Sequence, residues 1–184
     1  TLSTAGYIKR TELSAYRRQK RGGKGKLGMK TKDEDFVEQL FLTKAHDTLL
    51  VFTDRGYAYA LKVYDIPESG ANARGKHIKN LISLKEDEKV VTLMALRDFP
   101  EDHYLVFATQ DGTVKKTALA AYANIRSNGL IALNIVDGNS LVAVRVSHGE
   151  QQIVLISAQG KAIRFPEEDI RPMGRVATGV RGMR

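Results

Sequence analysis

Leu49-Leu50-Val51-Phe52-Thr53-Asp54-Arg55-Gly56 joins four consecutive apolar residues to a turn that ends in glycine. A short apolar run bounded by such a turn is typical of a buried strand that enters a β-hairpin. Related stretches are Leu105-Val106-Phe107-Ala108-Thr109-Gln110-Asp111-Gly112, Ile153-Val154-Leu155-Ile156-Ser157-Ala158-Gln159-Gly160 and, for the turn alone, Ser3-Thr4-Ala5-Gly6. The chain therefore repeats one hairpin pattern.

A second glycine follows each turn glycine after 17 to 19 residues. The pairs are Gly6 with Gly25, Gly56 with Gly75, Gly112 with Gly129 and Gly160 with Gly179. A period of about fifty residues, built of short strands and turns, is typical of propeller-like blades. The sequence predicts an all-β array of four-stranded antiparallel blades in one domain over 1–184. Its units lie near 1–48, 49–104, 105–152 and a partial 153–184.

Helical patterns are weak in this sequence. The best candidates, 11–18 and 117–122, occupy the same position after a strand in their units. We interpret them as turns or single helical turns at the blade edge. Both ends of the sequence fall inside the repeat, so we expect a piece of a longer array with unpaired sheet edges.

The net charge of the 184-residue chain is +8, and its distribution is uneven. Residues 1–30 contain nine Lys or Arg and one acid, whereas basic and acidic residues balance over the remainder. A neutral scaffold with one focused cationic segment suits a polyanion bound at a fixed place. The chain has no cysteine, which excludes disulfides and thiolate metal sites. No apolar run is long enough to cross a bilayer.

The cationic segment is Arg17-Arg18-Gln19-Lys20-Arg21-Gly22-Gly23-Lys24-Gly25-Lys26, with six cations, three glycines and no acid. Its glycines allow positive φ angles and a close approach of the backbone to a ligand. Such a segment can place N–H groups and cationic side chains along a phosphate backbone. The alternative is a solvated basic loop or arm.

A second set of cations recurs after the turn glycines. Lys9-Arg10 and Lys115-Lys116 occupy the third and fourth positions after their glycines, Arg164 occupies the fourth, and Lys62 follows slightly later in the second unit. Equivalent cations would form a line around the rim of the array, which suits a bent polyanion. The alternative is a set of unrelated solvated charges or ion pairs.

Other site patterns are weaker. Gly23-Lys24-Gly25-Lys26-Leu27-Gly28 satisfies G-x-G-x-x-G, but no βαβ pattern surrounds it, which argues against a dinucleotide site. The four histidines have neither metal-ligand spacing nor a nucleophile beside them. We therefore expect no catalytic residue, no metal site and no cofactor in this chain.

Gln19-Lys20-Arg21-Gly22-Gly23-Lys24-Gly25 resembles the gyrase A-box, the signature of the carboxy-terminal domain of the DNA gyrase A subunit. The stretches Ala5–Arg10, Leu61–Tyr64, Asp111–Thr117 and Thr178–Gly182 agree with the same family in the same order. The resemblance covers essentially the whole chain. It implies an incomplete β-pinwheel of about three and a half of the family's six blades.

The resemblance also implies a function. Such a domain binds and wraps double-stranded DNA without sequence specificity, and so directs ATP-dependent negative supercoiling by a holoenzyme of A and B subunits. ATP, magnesium and the catalytic tyrosine of this type IIA topoisomerase belong to other parts of the holoenzyme. The implied location is the bacterial cytoplasm, in association with the nucleoid and not with a membrane. The alternatives are the equivalent domain of topoisomerase IV and a protein-interaction propeller with a basic arm.

Overall fold

The computed structural model describes residues 1–16, 18–32, 34–126 and 128–183. In these residues the secondary structure consists of β-strands and short 3-10 turns. The strands are β1 (Leu2–Ser3), β2 (Tyr7–Ile8), β3 (Val37–Gln39), β4 (Thr48–Thr53), β5 (Tyr57–Lys62), β6 (Lys76–His77), β7 (Val90–Leu96), β8 (Tyr104–Thr109), β9 (Thr113–Ala118), β10 (Leu130–Ile131), β11 (Leu141–Ser147), β12 (Gln152–Ile156), β13 (Ala162–Pro166) and β14 (Val180–Arg181).

The strands form three four-stranded sheets and one two-stranded sheet, with antiparallel pairing throughout. The strand orders are β3-β1-β2-β6, β10-β5-β4-β7, β11-β8-β9-β14 and β12-β13. The predicted all-β array of antiparallel blades is therefore confirmed.

Each predicted hairpin forms, and its turn is closed in the same way. The turn-glycine N–H donates to the carbonyl of a Ser or Thr three residues earlier, as Gly56 does to Thr53 at 3.0 Å. Gly56 has a φ of +79°, which side-chain-bearing residues rarely adopt. A Cβ at this position would also lie 2.3 Å from the carbonyl oxygen of Leu133. Glycine is therefore required here by both conformation and space.

The sheets do not coincide with the sequence repeats. In each four-stranded sheet, one edge strand comes from the following repeat: β6 joins β2, β10 joins β5, and β14 joins β9. In these three cases the second glycine of the pair, Gly75, Gly129 or Gly179, immediately precedes the incoming strand. At Gly75 a Cβ would lie 2.3 Å from the Ile8 carbonyl oxygen. These glycines therefore permit close contact between one repeat and the sheet before it.

The central strand β4 is buried on both faces. Its side chains belong to two apolar clusters, one on each face, that connect its sheet to the neighbouring sheets. Leu49 and Val51 pack in a cluster that includes Leu2 and Ile8 of the first sheet. The alternate residues Leu50 and Phe52 pack with residues of the third sheet such as Phe107. The two-residue periodicity of a strand explains this division.

Short 3-10 turns follow the second strand of each hairpin, at Leu13–Ala15, Val63–Asp65, Leu119–Tyr122 and Glu167–Asp169, and one more lies at Ile78–Asn80. The single turns expected within 11–18 and 117–122 are thus found as 3-10 turns. Of the described helical segments, none has the length and apolar character needed to span a membrane.

Candidate nucleic-acid interface

The basic segment 18–27 lies entirely on the surface in the structure. It connects the turn ending at Tyr16 to Met29, whose side chain is buried. A tight turn at its tip places Gly22 at a φ of +82°, and the Gly23 N–H donates to the Lys20 carbonyl at 3.0 Å. We call residues 18–27 the basic loop; Arg17 lies outside the described residues.

The base of the basic loop is closed by Lys26. Its ammonium donates to the carbonyl of Ala15 and lies 5.9 Å from the centre of the Tyr16 ring. The Tyr16 hydroxyl lies 3.5 Å from the Gly28 carbonyl oxygen. Both ends of the loop therefore meet at Tyr16, and Lys26 is already engaged there.

The remaining cations of the basic loop are Arg18, Lys20, Arg21 and Lys24. Within the part of the chain that the structure describes, no ion pair involves any of them. Among the described residues, their mutual repulsion is consequently not offset by an ion pair with an acid. A polyanion that neutralises them would bind with a favourable release of counterions.

The expectation that Lys9, Lys115 and Lys116 lie exposed on the rim is wrong. Their relative exposures are 1%, 0% and 4%, so none can touch a ligand outside the protein without a rearrangement. A buried ammonium is tolerated only where acceptors replace its water. Backbone carbonyls of the following repeat supply most of those acceptors.

Lys9 and Lys115 make the same contacts in two different places. The Lys9 ammonium donates to the carbonyls of Gly70 at 2.8 Å and Ala71 at 2.5 Å. Lys115 donates to Gly174 at 3.3 Å, to Arg175 at 2.5 Å and also to Ala132. Burial lowers the pKa of both ammonium groups, and that of Lys115 falls to about 7.

The next residue in each case also binds the following repeat. Lys116 donates to the Glu167 carbonyl at 3.1 Å and lies 3.6 Å from the Glu167 carboxylate, a pair that is buried. Arg10 is partly exposed, and it forms a 3.0 Å ion pair with Glu68 and donates to the Ile66 carbonyl. These contacts hold adjacent repeats together. The Arg10 guanidinium therefore already has partners within the protein.

Two other candidates do lie on the surface. Lys62 is exposed, although its ammonium donates to the Thr48 hydroxyl at 2.8 Å. Arg164 is exposed on β13, where it is paired with Val154 in the strand register. Both remain available to an external anion.

The sequence reasoning missed exposed cations in the connections that lead to the exchanged strands. We call residues 66–77 and 170–181 the crossover segments, because each leads from a 3-10 turn to a strand in the preceding sheet. Their exposed cations are Lys76, Arg171, Arg175 and Arg181. The glycine pairs give the signal that could have found them, since Gly25 in the basic segment occupies the same repeat position as Gly75 and Gly179.

The geometry of the described residues matches neither a metal site nor an acid–base catalytic site closely. Among the residues described, no group of three or more His, Asp or Glu is arranged to hold a metal ion. His103 and His148 stack edge to face at 4.4 Å, and the His103 Nδ1 atom lies 2.7 Å from Asp102. Within the described residues, no serine or threonine hydroxyl forms a hydrogen bond with this histidine pair.

The family model described as "DNA gyrase C-terminal domain, beta-propeller" matches residues 1–44, 47–97, 103–148 and 151–184. The chain belongs to this family. It is 49% identical over 183 residues to the DNA gyrase A subunit of Halalkalibacterium halodurans, and 44% identical over 184 residues to that of Escherichia coli. The alignments cover all of this chain but only 22% and 21% of those proteins. The gyrase family assignment thus concerns about a fifth of the relatives' length.

Solved structures give the same assignment of fold. The C-terminal domain of DNA topoisomerase IV has a TM-score of 0.85 at 30% identity, covering 100% of this chain and 55% of that one. A DNA gyrase A C-terminal domain has a TM-score of 0.75 at 24% identity, covering 100% of this chain and 59% of that one. The expected resemblance to the gyrase A subunit and the propeller-like fold are confirmed.

Proposed function

We propose that this chain is the DNA-wrapping part of a gyrase A subunit. It binds double-stranded DNA through phosphates and bends the duplex around its basic surface. The holoenzyme, which adds the rest of the A subunit and the B subunits in the bacterial cytoplasm, then uses ATP-driven strand passage to introduce negative supercoils. ATP and magnesium act elsewhere in that holoenzyme.

The exposed basic loop carries this proposal. Its cations Arg18, Lys20, Arg21 and Lys24 face solvent without acidic partners among the described residues. Phosphate contacts position a protein on DNA and carry no sequence information. Binding is therefore non-specific, and sequence enters only through the energy needed to bend the duplex.

A salt titration of DNA binding by the full chain tests the proposal. Glutamine replaces all six cations Arg17, Arg18, Lys20, Arg21, Lys24 and Lys26. The slope of log K against log salt should flatten by about 0.9 for each phosphate that the variant no longer neutralises. Because bending a short duplex costs several kcal/mol, wrapping should fail more severely than binding. Wrapping is read from the topology of plasmid religated with the protein.

A control variant removes the same number of charges from exposed sites elsewhere. Its six substitutions to glutamine are at Lys32, Lys44, Arg55, Lys89, Arg97 and Lys161. It should retain most of the salt slope and the topological shift. The proposal fails if the basic-loop variant keeps both the slope and the shift of the unmodified protein.

A second candidate is the equivalent domain of topoisomerase IV, because the topoisomerase IV domain superposes well on this chain. The box-like run from Gln19 to Gly25 favours the gyrase assignment. The holoenzyme assay separates the two. A gyrase makes relaxed plasmid negatively supercoiled when ATP is present, whereas simple relaxation without this product supports the alternative.

A further inference from the structure

Lys9 and Lys115 bind the following repeat at the same register. Each lies three residues after a turn glycine. The carbonyls that accept from them, at Gly70 and Ala71 and at Gly174 and Arg175, lie five and four residues before the second glycine of the next repeat. The same contact therefore recurs at two joints, by which we mean the junctions between successive repeats, so it is a feature of the repeat itself. We call each contact a lysine clasp.

The clasps act on the crossover segments, which carry exposed cations. In the fourth repeat the Lys115 ammonium holds the backbone carbonyl of Arg175, while the Arg175 side chain is exposed. Among the described residues, the Arg175 guanidinium donates one hydrogen bond, to the Ala121 carbonyl at 3.2 Å. A guanidinium has five N–H donors, so others remain for a phosphate.

The first clasp holds backbone carbonyls that lie six and five residues before Lys76. Lys9 holds the carbonyls of Gly70 and Ala71, and the chain then turns at Gly75 into β6, where Lys76 is exposed and pairs in register with Ile8. A buried lysine thus fixes the backbone that presents a surface lysine to solvent.

The middle joint is built differently. Tyr59 occupies the clasp position after Gly56, and its hydroxyl donates to the Glu88 carboxylate at 2.8 Å, within its own repeat. This joint is instead filled by the apolar cluster of Phe52, Phe107 and Tyr122.

We propose that Lys9 and Lys115 are positioning residues for DNA wrapping, which act by holding the cations of the crossover segments along the path of the DNA. This inference rests on the proposed function. It assigns phosphate contacts to Lys76 and Arg175, and a buried supporting role to the two clasp lysines.

Double-mutant cycles in the full chain test the inference. Arg175→Gln should reduce the salt slope by about 0.9, the value of one phosphate contact. Lys115→Met should reduce it by a similar amount, because the Arg175 guanidinium is then misplaced. The double variant should show a slope little different from that of either single variant, since coupled residues are non-additive.

A second cycle separates positioning from general destabilisation. Lys115→Met combined with Lys24→Gln should give additive reductions of the slope, because Lys24 lies on the basic loop and outside that crossover segment. If Lys115→Met acted only by reducing the amount of folded protein, its effect on DNA binding would be additive with the effects of both Arg175→Gln and Lys24→Gln. Lys89→Met removes an exposed lysine elsewhere and should leave the slope unchanged.

Hydrogen exchange gives a readout that needs no DNA. Lys115→Met should accelerate exchange of backbone amides in 171–181 while the β4–β5 hairpin keeps its protection. If Lys115→Met does not fold, the cycle of Lys9→Met with Lys76→Gln replaces it. The inference is overturned if the clasp and crossover substitutions reduce the salt slope additively. If the basic-loop variant still flattens the slope in that case, the proposed function stands. Loss of the basic-loop effect itself overturns the proposed function.

Discussion

The Lys9 ammonium lies 2.5 Å from the carbonyl oxygen of Ala71, which is 62 residues further along the chain. Lys115 repeats this contact with the carbonyl of Arg175, 60 residues later. Both contacts cross from one repeat to the next, at the connection whose end strand joins the preceding sheet. The stability of each joint therefore depends on a few well-defined atoms.

The first prediction concerns the close approach at Gly75. Gly75→Ala should destabilise the domain by at least about 1–3 kcal/mol, the cost of holding a non-glycine residue in a sparsely populated backbone region. Its φ is +83°, and the new Cβ would lie 2.3 Å from the Ile8 carbonyl oxygen. Chemical denaturation measures the change. Gly70→Ala is the control, because no heavy atom lies within 4 Å of its Cβ position, and it should change stability by about 0.5 kcal/mol or less.

The second prediction concerns the pH dependence of Lys115. Burial lowers the pKa of this ammonium to about 7, against an ordinary value of 10.5. Between these two values the unfolded chain holds a proton that the folded chain has released. The contribution of Lys115 to the free energy of unfolding should therefore increase as pH rises through this window.

Urea unfolding of the unmodified chain and of Lys115→Met measures this contribution at about pH 6.5, below the lowered pKa, and at about pH 8 and 9.5, between the two pKa values. The difference between them should grow in favour of the unmodified chain, by up to about 1.4 kcal/mol per pH unit. Lys161→Met removes an exposed lysine and is the control for the loss of a surface charge. A difference for Lys115→Met that does not change with pH would contradict the lowered pKa.

The third prediction concerns the buried pair of Tyr59 and Glu88. Tyr59→Phe removes the hydroxyl that donates to the Glu88 carboxylate at 2.8 Å and leaves that carboxylate with the Lys85 N–H donor. The loss of a donor to a buried acid should cost about 1–3 kcal/mol in thermal or chemical unfolding. Tyr64→Phe alters a half-exposed tyrosine and should be nearly neutral. Equal effects of the two substitutions would exclude a special role for the Tyr59 hydroxyl.

The fourth prediction concerns the mobility of the basic loop. Its exposed cations repel one another, so its amides should exchange rapidly with solvent when DNA is absent. Added duplex DNA should slow exchange at 18–25, and high salt should reverse this protection. Slow exchange across this stretch in the free protein, at low salt, would contradict the prediction. The amides of β4 and β5 serve as an internal reference.

The sequence by itself determined the hairpins, the all-β class and the surface position of the basic segment. A short run of consecutive apolar residues and a glycine at a tight turn act over a few residues, so a hairpin can be predicted directly from Leu49–Gly56 and its copies. The charge of the segment from Arg18 to Lys26 likewise resists burial in any fold that lacks nearby acids.

Only the tertiary structure determines whether the cations after the turn glycines are buried or exposed. In sequence, Lys9, Lys115 and Lys116 look like Arg164, yet three are buried and one is exposed. The difference depends on carbonyl and carboxylate oxygens 51 to 62 residues away, which reach these ammonium groups only when a later repeat adds a strand to the earlier sheet. Burial of a charge is set by such distant acceptors, because they replace the water that a local sequence pattern cannot specify.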